Sequence, residues 1–192
     1  MFIHEWKKQI FTIPNILSLF RIFLIPVYTS IYLSAAQPRE YWIAGSILAV
    51  SCLTDLFDGK IARKYNMIST LGKILDPVAD KLTQFAITWC LSIKYPVMRF
   101  VLALFVLKEG FQGIVGIIHL RNGKMLPGAL MAGKVCTTVL FSSLIFLVLM
   151  PNIKHELVCL IAFIDTAFLF VAFLHYFFAY FGRNPKLEDL QK

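Results

Sequence analysis

Charge is scarce in this chain of 192 residues: only 16% of its side chains are charged, against about 25% in ordinary soluble domains. Acids are scarcer still, 11 against 19 Lys and Arg, for a formal net charge of +8. With 58% hydrophobic residues and a mean hydropathy of +0.72, that scarcity excludes a disordered chain, a fibrous one and a water-soluble globule. Cysteine is sparse and scattered. Cys52, Cys90, Cys136 and Cys159 each sit in an apolar run without metal-ligand spacing, which predicts unpaired thiols and excludes a disulfide framework. Met1–Ile10 contains no apolar run ending in small residues, so no cleavable signal peptide is expected. No stretch interleaves basic and aromatic residues on a solvated face, so nucleic acid is not an expected partner. Repeats, low-complexity tracts and long linkers are absent too, and residues 1–192 read as a single membrane domain.

What the chain has in quantity is apolar bulk, including 18 Phe. Six segments approach the roughly 20 apolar residues that a membrane helix needs. They run from Ile13 to Ala36, Tyr41 to Arg63, Ser69 to Ile93, Pro96 to Leu120, Pro127 to Met150 and His155 to Phe181. Ahead of them Phe2, Ile3, Trp6 and Ile10 share one helical face, with Lys7 and Lys8 on another. That pattern predicts a short amphipathic helix lying in the bilayer interface. The expected fold is therefore an all-α integral membrane protein of six transmembrane helices with an N-terminal interfacial helix. Pro14, Pro38, Pro96, Pro127, Pro151 and Pro185 fall at or near segment ends, where proline does least harm. Both termini and the 60–73 and 121–127 connections carry most of the loop Lys and Arg, whereas the other side carries only Arg39, Lys94, Arg99 and Lys154. This asymmetry predicts a plasma-membrane protein with the first set facing the cytoplasm.

The few acids are not scattered. Asp55 and Asp58 are three apart near the end of the second segment, and Asp76 and Asp80 are four apart near the start of the third. Both spacings place each pair on one helix face. A short connection makes the two helices neighbours, so four carboxylates can converge. An intramembrane Asp costs about 2.5–3.5 kcal/mol on insertion scales, and crowded carboxylates repel unless a cation sits among them. Oxygen-only donors select a hard cation, Mg2+ or Mn2+. Each acid alone has a plainer reading: Asp76 before Pro77 could cap a helix start, and Asp55 or Asp58 could be a satisfied polar contact between helices. Gly59 and Gly72 would let a ligand or a second backbone approach closely, or simply let helices pack. Arg63 returns to nearly the face of Asp55 and can neutralise the cluster or grip a phosphate.

The whole pattern, D-x-x-D-G-x-x-A-R-x8-G-x3-D-x3-D, is fulfilled by Asp55, Asp58, Gly59, Ala62, Arg63, Gly72, Asp76 and Asp80. It resembles the signature of the CDP-alcohol phosphotransferases. The run from Ile13 to Arg21 and the stretch Leu75-Asp-Pro-Val-Ala-Asp-Lys81 are similar to the phosphatidylglycerophosphate synthase and cardiolipin synthase branches. The resemblance implies six helices, usually as a homodimer, around a cytoplasm-facing polar cavity. It implies attack of an alcohol on the β-phosphorus of CDP-diacylglycerol with release of CMP. It also implies that Asp55, Asp58 and Asp76 bind metal, that Asp80 completes the cluster and serves as general base, and that Gly59, Ala62, Arg63 and Gly72 contact the nucleotide.

Arg21, Lys81, Lys108 and Lys134 are cations in or beside apolar segments. They are candidates for an anionic, glycerol-containing acceptor, or they snorkel or pair with acids such as Glu109. Gly133-Lys134-Val-Cys-Thr137 resembles the Gly-Lys-x-Lys-Thr stretch of phosphatidylglycerophosphate synthases, with Cys136 in place of the second lysine. Lys108-Glu109 and Gly116 stand where those synthases carry Arg-Glu and a second arginine. Glycerol 3-phosphate is the preferred acceptor, and phosphatidylglycerol, giving cardiolipin, is the alternative. Asp165 and His175 read as packing or dimer residues. Two other classes compete: a cation transporter, which has no need of the Gly–Ala–Arg–Gly frame, and a non-catalytic membrane scaffold, which has no need of four acids.

Overall fold

The computed structural model describes residues 12–64, 72–121 and 131–181, without the side chains of 13–14, 55–64, 73–74, 119–120, 132 and 181. The interfacial helix expected before Ile13 lies outside the described residues. These residues form six helices and no strand: α1 (Ile13–Ser34), α2 (Pro38–Lys64), α3 (Gly72–Lys94), α4 (Met98–Arg121), α5 (Met131–Leu149) and α6 (His155–Phe181). Their ends fall within a few residues of the segments expected from hydropathy. None of the four cysteines forms a disulfide.

Local chemistry explains the helix starts. Pro38 opens α2 at the position where a missing N–H costs nothing. Two residues on, the Glu40 carboxylate accepts from the amides of Gln37 at 3.0 Å and Ala36 at 2.5 Å, half of a capping box. Those amides, in an exposed turn, hold Glu40 below the usual carboxylate range. Tyr41 closes the same turn by donating to the Ala35 carbonyl at 3.1 Å, and its ring meets Tyr32 edge-on. At α3 the alternative reading of Asp76 as a cap is set aside. α3 begins at Gly72 and runs through Pro77, so Asp76 does not cap it. Pro77 lies beyond the first turn and leaves one carbonyl of that turn without its usual donor, while Asp76 is engaged by another helix.

The chain divides into two compact units. The first comprises residues up to Cys90 together with Val148–Asn152. In it α1 packs along α2, and Tyr28, Ala44, Leu48, Ala79 and Ile87 are buried. Gly45 is pressed so close to Leu149 that an added Cβ would lie 2.8 Å from its Cδ2. The second unit comprises Leu91–Leu147 and the chain from Ile153 onward. Here α4 packs on α6, with the Phe111 ring 5.2 Å from Phe173 and 5.9 Å from Phe177. Met98, Val101, Leu140, Leu144 and Leu169 fill its interior.

Among the described residues three stretches are long and apolar enough to cross a membrane, Asn15–Ser34, Met98–Ile118 and His155–Tyr180, and Gly133–Leu149 is a shorter apolar helix. Phe23, Phe100, Phe163 and Phe178 point outward from these helices, a surface suited to lipid. α2 and α3 carry the acids and bases of the signature: Asp55, Asp58, Lys60 and Arg63 on α2, and Lys73, Asp76, Asp80 and Lys81 on α3.

Candidate functional site

Three polar residues, Asn15, Ser18 and Arg21, interrupt the apolar sequence of α1 at intervals of three. All three are buried, although Ile16, Leu19, Phe20 and Phe23 around them are exposed. The helix therefore shows an apolar face outward and a polar edge inward. That edge meets the acids of α3. Ser18 donates its hydroxyl hydrogen to an Asp76 carboxylate oxygen, and Arg21 donates from Nη1 to Asp80. The other terminal nitrogen of Arg21 stands 4.0 Å from Asp76 Oδ1. Asp76 and Asp80, four residues apart, thus share one face of α3 and one guanidinium.

Burial is uneven across this pair of contacts, and the unevenness is informative. Arg21 is 2% exposed, whereas the side chains of Asp76 and Asp80 are 38% and 45% exposed. The cation stands behind the acids, and the acids keep open faces with lone pairs to spare. An oxygen-only donor set with open faces fits a hard divalent cation. Among the described residues no three His, Cys, Asp or Glu side chains converge. Asp55, Asp58, Gly59, Ala62 and Arg63 belong to α2, and their side chains lie outside the described residues, as does any test of fourfold convergence. Gly72 is the first residue of α3.

The cations expected to meet an acceptor have diverse settings. Arg21 is committed to Asp76 and Asp80, which gives it a place beside the acids that its sequence position did not announce. Lys81 is half-buried on α3. Lys108 is 3% exposed, and its ammonium lies 2.6 Å from Glu109 Oε1 and 5.6 Å from the centre of the Tyr176 ring. Lys134 is exposed on α5, next to the buried Gly133. Asp165 is fully buried and accepts from Ser143 at 2.6 Å, in keeping with packing between α5 and α6; His175 is exposed. Sequence reading missed Ser18 as a site residue. Its signal is the three-residue rhythm of polar side chains in an otherwise apolar helix.

Comparison with known proteins agrees with this geometry. Residues 11–179 match the family described as CDP-alcohol phosphatidyltransferase. The cardiolipin synthase (CMP-forming) of Streptomyces coelicolor is 34% identical over 135 residues, 67% of this chain and 61% of that protein. The CDP-diacylglycerol–glycerol-3-phosphate 3-phosphatidyltransferase of Rickettsia typhi is 39% identical over 77 residues, 40% of this chain and 42% of that protein. A protein of the same name from Shigella flexneri is 29% identical over 168 residues, covering 83% of this chain and 88% of that protein. The first two matches thus span less than two thirds of those relatives. The match over residues 11–179 takes in α1, with its polar edge, and both helices that bear the eight-position signature: the chain belongs to the CDP-alcohol phosphatidyltransferase family.

Proposed function

We propose that this protein transfers a phosphatidyl group from CDP-diacylglycerol to a glycerol hydroxyl, with glycerol 3-phosphate as acceptor and CMP as the leaving group. The observation that carries the reading is the half-exposed Asp76–Asp80 pair, backed by Ser18 and Arg21, within an unbroken signature. Asp55, Asp58 and Asp76 would hold Mg2+ or Mn2+, with Asp80 completing the set. When bound, the divalent ion would supply charge neutralisation of the diphosphate and make CMP a better leaving group. Arg63 offers a second positive charge to the diphosphate, and Gly59, Ala62 and Gly72 leave space for the nucleotide. Asp80 takes the proton from the attacking hydroxyl, and Arg21 holds its carboxylate in place. Lys134, the exposed candidate on α5, would contact the acceptor phosphate, with Lys81 as a further contact. The bond formed joins the acceptor oxygen to the β-phosphorus, and the bond broken joins that phosphorus to the CMP oxygen.

The same reading takes the protein as one membrane domain of six spans. α2 and α3 would cross with their charged ends in a polar cavity open to the cytoplasm, and two copies would form a homodimer. A second acceptor, phosphatidylglycerol, is favoured by one difference. Gly116 stands where phosphatidylglycerophosphate synthases carry a second arginine, and a site with one cation fewer suits a singly charged phosphodiester better than a doubly charged phosphomonoester.

The test is an acceptor panel with purified protein and labelled CDP-diacylglycerol, with and without chelator, followed by lipid identification. The expected result is divalent-dependent CMP release with phosphatidylglycerophosphate as product, abolished by Asp55→Asn, Asp58→Asn or Asp76→Asn at saturating metal. Cardiolipin as the sole product would replace the acceptor. CMP release with no acceptor, or wild-type turnover in all three variants, would overturn the assignment.

A further inference from the structure

Tyr176 of α6 is buried to 3% exposure and has no part in the family signature. Three observations meet on its ring. The Lys108 ammonium of α4 stands 5.6 Å from its centroid. The Tyr180 ring stacks beside it at 6.2 Å and 22°. A Cβ added to Gly133 of α5 would lie 2.9 Å from Tyr176 Cε2 and 3.0 Å from Cζ, and would overlap the hydroxyl oxygen. Glycine at 133 is therefore required by space, because only a bare Cα lets α5 come this close to the tyrosine. The tyrosine cannot swing aside without giving up both Lys108 and Tyr180. Its ring face attracts the ammonium through the aromatic quadrupole, and its hydroxyl end limits how near α5 approaches. Lys134 follows Gly133 directly, so any displacement of the backbone at 133 moves Lys134 with it.

We propose that Tyr176 is a positioning residue for the acceptor: one side chain fixes Lys108 on α4 and sets the stand-off of the Gly133–Lys134 step on α5. The inference rests on the acceptor role given to Lys134 above. It predicts selectivity in the kinetics, because a residue that merely holds the helices together would disturb donor and acceptor alike.

The experiment measures KM separately for CDP-diacylglycerol and for the glycerol acceptor in full-length protein carrying Tyr176→Leu, Gly133→Ala, Tyr176→Phe, or Gly133→Ala with Tyr176→Phe. Loss of the ring in Tyr176→Leu is expected to raise acceptor KM about tenfold, the scale of a desolvated cation–π contact, with donor KM within about twofold. Gly133→Ala is expected to raise acceptor KM too, and to do so less when Tyr176→Phe has removed the atom nearest the new methyl. Equal rises in both KM values would overturn the proposal. So would a Gly133→Ala effect that is the same in both backgrounds, and this pair decides the matter if Tyr176→Leu does not fold. Wild-type protein that transfers to no glycerol acceptor overturns the function proposed above; active wild type with unselective variants overturns only the role of Tyr176.

Discussion

The two units each contain a cation withdrawn almost completely from solvent, Arg21 in the first and Lys108 in the second. Their partners differ. Arg21 crosses from α1 to two acids on α3 that stay 38% and 45% exposed. Lys108 pairs with its own neighbour in sequence, Glu109, whose side chain is 18% exposed, and lies over Tyr176. Adjacent residues on a helix do not face each other, so the Lys108–Glu109 contact relies on long side chains bending together. The first arrangement leaves its acids open on one side; the second sets its charge against a largely buried acid and an aromatic ring. Burial of the cation alone does not distinguish them. Exposure of the acid does.

If that distinction is right, turnover and stability should respond in opposite order. The largest effect is expected on turnover in Arg21→Met. Misplacing Asp76 and Asp80 should lower CMP release about a hundredfold at saturating metal, while Lys108→Met should cost far less. Arg21→Lys, with a single point charge, should recover only part of the loss. Arg21→Met that retains turnover within about threefold of wild type would remove α1 from the site.

Stability should reverse the ranking. Lys108→Met removes the ammonium from a largely buried Glu109 and should destabilise the detergent-solubilised protein by about 1.5–3 kcal/mol, the range for hydrogen bonds to charged groups. Adding Glu109→Gln should restore most of it. Arg21→Met should cost less, because its half-exposed acids can hydrate. Thermal unfolding of the four proteins checks this, and a larger loss in Arg21→Met than in Lys108→Met would break the comparison.

The smallest effect concerns Glu40, an exposed acid that serves only its own helix start. Its carboxylate is held below the ordinary value of 4.5 by the amides of Gln37 and Ala36. A depressed folded-state value means that its contribution is complete above that ordinary value and fades as pH falls through the lower one. The stability difference between wild type and Glu40→Gln should accordingly shrink on acidification below about pH 4.5. A difference that stays constant through that range would show the turn to be held by Tyr41 and Pro38 alone.

Helix limits were legible because prolines and apolar runs mark them locally: α6 occupies His155–Phe181, the span read from hydropathy. The Asp-Pro step was less plain: it offers a local helix start at Asp76, whereas the helix already runs through it from Gly72. The face shared by Asp76 and Asp80 followed from spacing alone. What stood opposite them did not, since Ser18 and Arg21 are some 58 and 59 residues away in sequence. Lys108 was read as one of a set of acceptor cations, and spacing gave no means of foreseeing that a tyrosine on α6 would face it. Tyr176 sits among aromatics in an apolar helix, where composition carries no mark of a contact to a charge.

The separation of Arg21 from Asp80 by 59 positions also has a meaning in time. Arg21 lies roughly 12 Å into α1 at 1.5 Å per residue, and during synthesis it leaves the ribosome well before its acids exist. Asp55 and Asp58 of α2 come first, and the acids that Arg21 contacts come only with α3; an unpaired central arginine costs about 2.5–3.5 kcal/mol on insertion scales. The first helix is thus built to enter the bilayer incompletely committed. Its final seat is taken only when the two acids that follow arrive to receive it.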